Sequence, residues 1–211
     1  MKIINASYEI LTPITGDELK VIERAGRTCY KSEKKITVKF ICDRDVSHEL
    51  VRHRLASFAQ ENTRYCNYEK KDGELTFIIP NFFGQVDENG KIFVPDDERS
   101  EVLEYWMAAM KEAEKRYLML LNCGCTPQEA RSVLPNSIKT EVIMTGNYRE
   151  WRHFLNLRAA RATGPAHPQM EELVVPLLRE LAERIPEVFD DIFYKWLSQQ
   201  SDNIPSKTPI A

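Results

Sequence analysis

The sequence predicts an α+β fold. Short period-2 runs and longer helical stripes occur in one chain, no segment repeats, and no linker of biased composition divides the 211 residues. With 43% hydrophobic and 29% charged residues the chain can bury a sizeable core, so residues 1–211 are expected to form a single domain.

Each element has its own warrant. Lys2 to Ile14 mixes β-branched residues with partial alternation and ends at Thr12-Pro13, which predicts a strand. Asp17 to Cys29 carries Leu19, Val21, Ile22 and Ala25 at helical spacing. Ile36 to Asp43 sets Val38, Phe40 and Cys42 against Lys39 and Ile41, a second strand, after which Asp45 is the expected N-cap of a short helix through Arg54. Ser57 to Lys70 is polar and aperiodic and reads as a loop. The Asp72-Gly73 turn then launches Leu75 to Ile79 as a strand.

Asp96 to Leu121 is expected to be helical, with Val102, Leu103, Trp106, Met107, Met110 and Ala113 as its apolar stripe and Cys123-Gly124 as its end. Thr126-Pro127-Gln128-Glu129 is a capping box with proline at the first helical position, so a helix starts there and runs to Val133. Leu134-Pro135-Asn136 stops it, and Ser137 to Gly146 reads as a strand. Asn147 with Glu150 makes a capping-box start for a helix through Ala162, and Gly164-Pro165 breaks the chain again. Pro168 to Leu197 is helical, with Pro176 and Pro186 expected to kink or divide it.

Charge bounds the partners. The 29 basic and 32 acidic side chains leave a formal net charge of -3, which gives no overall drive toward nucleic acid or anionic membrane. No run approaches the ~18 apolar residues of a membrane helix, and the N-terminus lacks a charged leader with an apolar run, so a cytoplasmic protein is expected. Five cysteines, an odd number without metal or disulfide spacing, predict reduced thiols. His48 and His53 are five apart, ~140° around a helix, and do not form a zinc pair, so no metal is expected. Gly84 to Lys91 has the wrong glycine spacing for a P-loop, and there is no Gly-x-Gly-x-x-Gly turn.

The remaining candidates are local clusters of cations. Arg52-His53-Arg54 is followed by Gln60, Asn62 and Arg64-Tyr65. On a helix Arg52 and Arg54 would point ~200° apart, so one of them should meet a buried anion. Arg158 shares a helical face with Trp151, Phe154 and Leu155, where a charge must be paired, while Arg149, Arg152, His153 and Asn156 line a polar face. With Arg131 on the capped short helix, the chain offers at least two sites suited to bidentate recognition of phosphate.

Arg52-His53-Arg54, followed after seven residues by Asn62 and then by Arg64-Tyr65, resembles the signature of the flavin-dependent thymidylate synthases, Arg-His-Arg, any seven, Ser. Ala130 to Pro135 and Asn147-Tyr148-Arg149 through Phe154 to Arg158 are similar to that family's next blocks, in order and at its separations. The likeness covers roughly Val38 to Leu197, more weakly Lys2 to Cys29.

The resemblance implies a central, mostly antiparallel sheet with flanking helices, in a homotetramer whose active sites are shared between subunits. It implies methylation of deoxyuridylate (dUMP), with methylenetetrahydrofolate supplying the carbon and FAD, reduced by NADPH, the hydride. Glu49, Arg52, Gln60, Asn62, Arg64, Arg131 and Arg158 would contact dUMP, Arg131 from a neighbouring chain. Arg158 and Asn62 would be the catalytic positions. His53, Arg54, Asn147, Arg149, His153 and His167 would hold FAD.

Three departures accompany it. Asn62 stands where the family has Ser, and an amide is no nucleophile. Arg161 to Pro165 reads as an insertion ahead of His167. Thr37 joins directly to Val38, where the family carries a helical segment and a histidine-containing loop. An inactive relative that still binds nucleotide and flavin is therefore a second reading, and a nucleic-acid-binding module built on Arg52 to Arg64 is a third.

Overall fold

The computed structural model describes residues 1–14, 21–24, 27–30, 34–66, 68, 73–94 and 99–202. In chain order the elements are β1 Lys2–Ile4, β2 Ser7–Ile10, β3 Val21–Arg24, β4 Arg27–Tyr30, β5 Lys35–Asp43, α1 Arg44–Leu50, β6 Ser57–Gln60, β7 Thr76–Ile78, β8 Gln85–Val86, β9 Ile92–Phe93, α2 Ser100–Asn122, α3 Pro127–Ala130, a 3₁₀ turn Arg131–Val133, β10 Lys139–Asn147, α4 Tyr148–Arg158, α5 Pro168–Arg184 and α6 Pro186–Asp202. The largest sheet has the strand order β2-β5-β10-β6. The hairpins β3/β4 and β8/β9 are antiparallel, and β1 pairs parallel with β7. The α+β class expected from the sequence is the class observed.

The chain divides into two compact units, Met1–Glu9 with Val38–Met144, and Ile10–Thr37 with Thr145–Ala211. The division falls inside β5 and inside β10. In the first unit Tyr68, Leu75, Phe77, Met110, Tyr117, Ala130 and Ile138 form one buried cluster, with Trp106 and Leu121 of α2 packed against it. The helix α2 buries Leu103, Met110 and Tyr117, whereas Val102, expected on the same stripe, is exposed because it lies one position off that seven-residue spacing.

In the second unit α4 buries Trp151, Phe154 and Leu155, and Trp151 Nε1 donates to the Ile36 carbonyl at 2.9 Å. Helix α5 packs beside α6 through Leu173, Val174, Leu177, Leu178 and Leu181 on one and Val188, Phe189 and Ile192 on the other. Pro186 divides the last helical region as expected, but Pro176 lies inside the continuous α5. An interior proline costs about 3 kcal/mol, and the buried leucines and valine on both sides of it offset that loss.

Other expectations are corrected. The first strand is two strands, because both polar atoms of the Asn5 amide bond the Val86 backbone, at 2.6 and 2.8 Å, and end β1 before β2 begins. The expected helix over Asp17 to Cys29 is instead, where it is described, the hairpin β3/β4, in keeping with the β-branched Val21, Ile22 and Thr28; residues 15–20, 25 and 26 lie outside the described residues. The expected loop after residue 57 opens with the strand β6. Gly84 to Lys91 belongs to the β8/β9 hairpin, whose turn is held by Asp87 Oδ1 accepting from the Asn89 and Lys91 amides and by Gly90 at φ +79°. Thr37 and Val38 are consecutive residues of an unbroken strand, and Ile36, Val38, Phe40 and Cys42 are all buried along it. Among the described residues no helix is long and apolar enough to cross a membrane.

Candidate active site

In the first unit the site is built on α1. Its N-cap is Asp43, whose Oδ1 accepts from the Val46 amide at 2.8 Å, and Asp45 sits in the first turn rather than at the cap. The helix ends at Leu50 and does not continue to Arg54. Val46, Ser47 and Leu50 form its buried face, and the next positions on that face, His53 and Arg54, are polar and give it nothing further to bury. The helical placement of Arg52 and Arg54, from which a buried anion is expected at one of them, is therefore corrected. Both lie in turns beyond the helix and are exposed, without a side-chain hydrogen bond or ion pair among the described residues, while Glu49 and His53 are half-buried.

The polar segment after β6 is stapled in place at three points. Gln60 Nε2 donates to Ser47 Oγ at 3.0 Å and to Thr140 Oγ1 at 3.3 Å, so its amide nitrogen brackets α1 and β10. Thr63, 6% exposed, accepts at Oγ1 from Arg131 Nη1 at 3.1 Å. Arg64 Nε donates to Gln128 Oε1 at 2.8 Å, and its guanidinium lies 5.4 Å from the Tyr65 ring centroid. Asn62 forms an Asx turn in which Oδ1 accepts from the Arg64 amide at 3.0 Å, and the residue is exposed. Its Nδ2 makes no hydrogen bond among the described residues.

Arg131 is carried by the 3₁₀ turn that follows α3. The Glu129 carboxylate accepts from both the amide and the hydroxyl of Thr126, each at 2.8 Å, and these bonds hold the Glu129 carboxyl below the usual carboxylate range. A cleft of about 520 Å³ results, lined by Arg44, His48, Thr63, Gln128, Arg131 and Asn136 among others, none of them acidic. Arg44, His48, Thr63 and Gln128 were not candidates on sequence grounds. The i, i+4 spacing of Arg44 and His48 behind the Asp43 cap was the available signal; the Thr63 to Arg131 contact left none.

In the second unit Asn147 caps α4 through both halves of the box: Oδ1 accepts from the Glu150 amide at 3.0 Å and the Asn147 amide donates to Glu150 Oε2 at 2.7 Å. Arg149 and His153 are exposed and carry no side-chain partner among the described residues. Arg152 is not a free cation on that face. Its guanidinium is bidentate to the Asp191 carboxylate at 2.6 Å twice and also reaches the Val188 carbonyl. Asn156 is likewise engaged, accepting at Oδ1 from Lys195 Nζ at 2.9 Å. Arg158 is half-buried in the last turn of α4, where a cation suits the helix dipole.

The segment read as an insertion is a tight loop, with Arg161 at φ +49° and Gly164 at φ +113°, and Arg161 makes a bidentate pair with Glu171 at 2.8 and 2.7 Å. His167 caps α5, its Nδ1 accepting from the Gln169 amide at 3.3 Å. The candidates thus fall into a set in the first unit, Glu49 to Arg64 with Arg131, and a set in the second, Asn147 to His167.

The chain is thus an α+β protein that carries two sets of basic and amide side chains. A family model described as thymidylate synthase complementing protein matches residues 33–187, and the chain belongs to that family. It is 35% identical over 161 residues to a flavin-dependent thymidylate synthase of Corynebacterium aurimucosum, covering 75% of this chain and 62% of that one. It is 33% identical over 157 residues to the protein of the same name from Pyrococcus furiosus, covering 74% and 56%. The match thus spans less than two thirds of either relative. A third, from Corynebacterium glutamicum, is 32% identical over 240 residues, covering 93% and 88%. That span exceeds the 211 residues present here, so part of that relative has no counterpart in this chain.

Two solved structures of the UMP/dUMP methylase PolB from Streptomyces cacaoi share the fold. The one bound with 5-Br dUMP gives a TM-score of 0.69 at 18% identity over 94% of this chain and 97% of that one. The one bound with 5-Br UMP gives 0.61 at 25% identity over 77% and 74%.

Proposed function

We propose that the chain is a flavin-dependent thymidylate synthase acting as one domain of a cytoplasmic homotetramer. It would methylate dUMP to thymidylate, with methylenetetrahydrofolate as carbon donor and NADPH-reduced FAD as hydride source. The observation that carries this reading is the hydrogen bond from Arg131 to Thr63, because it joins two of the family's blocks, far apart in sequence, at one acid-free cleft. The names of the relatives, and the dUMP analogue bound by the Streptomyces neighbour, support the same substrate.

Arg52 and Arg64 would flank the nucleotide and Arg131, from a neighbouring chain, would bind its phosphate, with Asn62 donating through Nδ2 and with Glu49 and Gln60 beside them. Arg158 would hydrogen-bond a uracil carbonyl and stabilise the negative charge that develops on the ring. Asn62 attacks nothing, so ring activation rests on such electrostatic contacts.

The residues present fit a flavin dinucleotide. Arg54, Arg149 and His153 are exposed donors with no acidic partner among the described residues, as a pyrophosphate requires, and Asn147 keeps Nδ2 for the ring or its phosphates, with His53 and His167 completing the set. When bound and reduced, the flavin supplies the hydride. The visible spectrum of the purified protein tests the reading first: flavin absorbance, present at once or after incubation with FAD, is expected, and protein that stays colourless overturns it. Turnover of dUMP with folate and NADPH then decides against the inactive-relative reading, which Asn62 in place of the family Ser favours.

A further inference from the structure

We propose that Arg44 and His48 form a phosphate site together with Arg131 and bind the 5′-phosphate of the nucleotide, an inference that rests on the nucleotide reading above. The two side chains stand one turn apart on α1, and both line the cleft that holds Arg131, Thr63 and Gln128.

Several arginines elsewhere are matched by carboxylates: Arg116 with Glu112 at 2.6 Å, Arg152 with Asp191, and Arg161 with Glu171. The side chains of Arg44 and His48 have no hydrogen bond or ion pair among the described residues. Of the carboxylates adjacent in sequence to the lining residues, Asp43 is committed to the α1 cap and Glu129 to Thr126, and neither Asp45 nor Glu49 lines the cleft.

Two guanidinium groups around an acid-free concavity repel one another unless an anion enters, and the imidazole beside them adds a ring N–H donor. Arg131 uses one N–H on Thr63 and retains other donors for a ligand, and Asn136, Ser132 and Gln128 add neutral polar groups at the walls. A tetrahedral phosphate dianion, with several acceptor oxygens and two charges, matches that supply of donors; a carboxylate uses fewer of them.

The test is calorimetric titration of the full-length protein and its variants Arg44→Gln, Arg44→Lys and His48→Gln with dUMP, deoxyuridine, inorganic phosphate and FAD. Arg44→Gln should weaken dUMP about 10-fold to 100-fold, His48→Gln less, and Arg44→Lys least, while deoxyuridine, which lacks the phosphate, binds as to wild type. Phosphate should compete with dUMP in the wild type and lose that ability in Arg44→Gln. Thermal melts accompany each variant, since both residues are surface positions whose replacement should leave the fold intact.

Unchanged dUMP affinity in both Gln variants overturns the proposal and leaves the thymidylate synthase reading standing. Equal weakening of dUMP and deoxyuridine also overturns it, as does selective loss of FAD, which would assign the cleft to the dinucleotide. Wild-type protein that binds no dUMP sinks the nucleotide reading and the assignment to its 5′-phosphate with it; phosphate binding that disappears in Arg44→Gln would then support only the anion site.

Discussion

Thr63 Oγ1 and Arg131 Nη1 lie 3.1 Å apart although the residues are separated by 68 positions in the chain. Thr63 is almost wholly buried, so the bond fixes one edge of the guanidinium and aims the rest of it at the cleft. Hydrogen bonds to charged groups contribute about 1.5 to 3 kcal/mol. Thr63→Val, which keeps the shape and loses the hydroxyl, should therefore raise the Kd for dUMP about 10-fold or more. Thr63→Ser should restore most of it. Equal affinity in both variants would show that Arg131 needs no orientation from Thr63.

Asn62 leads to a sharper substitution than alanine. Asn62→Asp keeps the Oδ1 acceptor that closes the turn onto the Arg64 amide, but replaces the Nδ2 donor with a charged acceptor. Its melting temperature should match the wild type while its affinity for dUMP falls about 10-fold or more, because like charges now face each other. Asn62→Ser should alter turnover modestly. A chain that turns over only as Asn62→Ser would establish that the hydroxyl is required.

Asn147 has two roles that separate by substitution. Loss of the cap in Asn147→Ala should cost about 0.5 to 2 kcal/mol of stability, read from thermal or denaturant melts. Asn147→Ser retains an acceptor for the Glu150 amide and should recover that stability. If Nδ2 holds the flavin, Asn147→Ser should still release FAD more readily than the wild type; full retention would remove Asn147 from the cofactor site.

The Arg152 guanidinium, first by hydrogen bonding and then by charge, holds the Asp191 carboxyl below the usual carboxylate range. A depressed folded-state value stabilises the protein above the unfolded value, near ~3.9, and that contribution disappears as pH falls through the folded value. Asp191 is largely exposed, so the gain is at the low end, about 1 kcal/mol or less. Asp191→Asn should accordingly melt earlier than wild type at pH 6 and converge with it in acid. A gap that persists unchanged below pH 3 would point to packing rather than charge.

Much of this was readable from the sequence because the underlying physics is local. The period-2 run through Ile36, Val38, Phe40 and Cys42 gives a strand with all four buried, and Asn147 with Glu150 starts a helix where the box says it should. What failed depends on strand pairing and burial, which the spacing of apolar residues does not report. Helical spacing at Val21 and Ile22 loses to hairpin pairing, and α1 stops at Leu50 once its buried face runs out. The cation clusters stood out in the sequence and the resemblance to a family gave them roles, whereas the shared cleft of Arg44 and His48 with Arg131 required the fold that brings Thr63 to Arg131.

Helix α3 spans only four residues, far too few to persist by helical propensity. It is held by Pro127 at its first turn, by the Glu129 reach to Thr126, and by Gly124 at φ +90° just before it. Arg131 and Gln128 are thereby set before any ligand arrives, and the entropy of ordering them is lost during folding instead of at encounter. Loosening this corner, as Pro127→Gly would, should leave the charges untouched and still slow productive capture, since a guanidinium that wanders must be found again with each arrival.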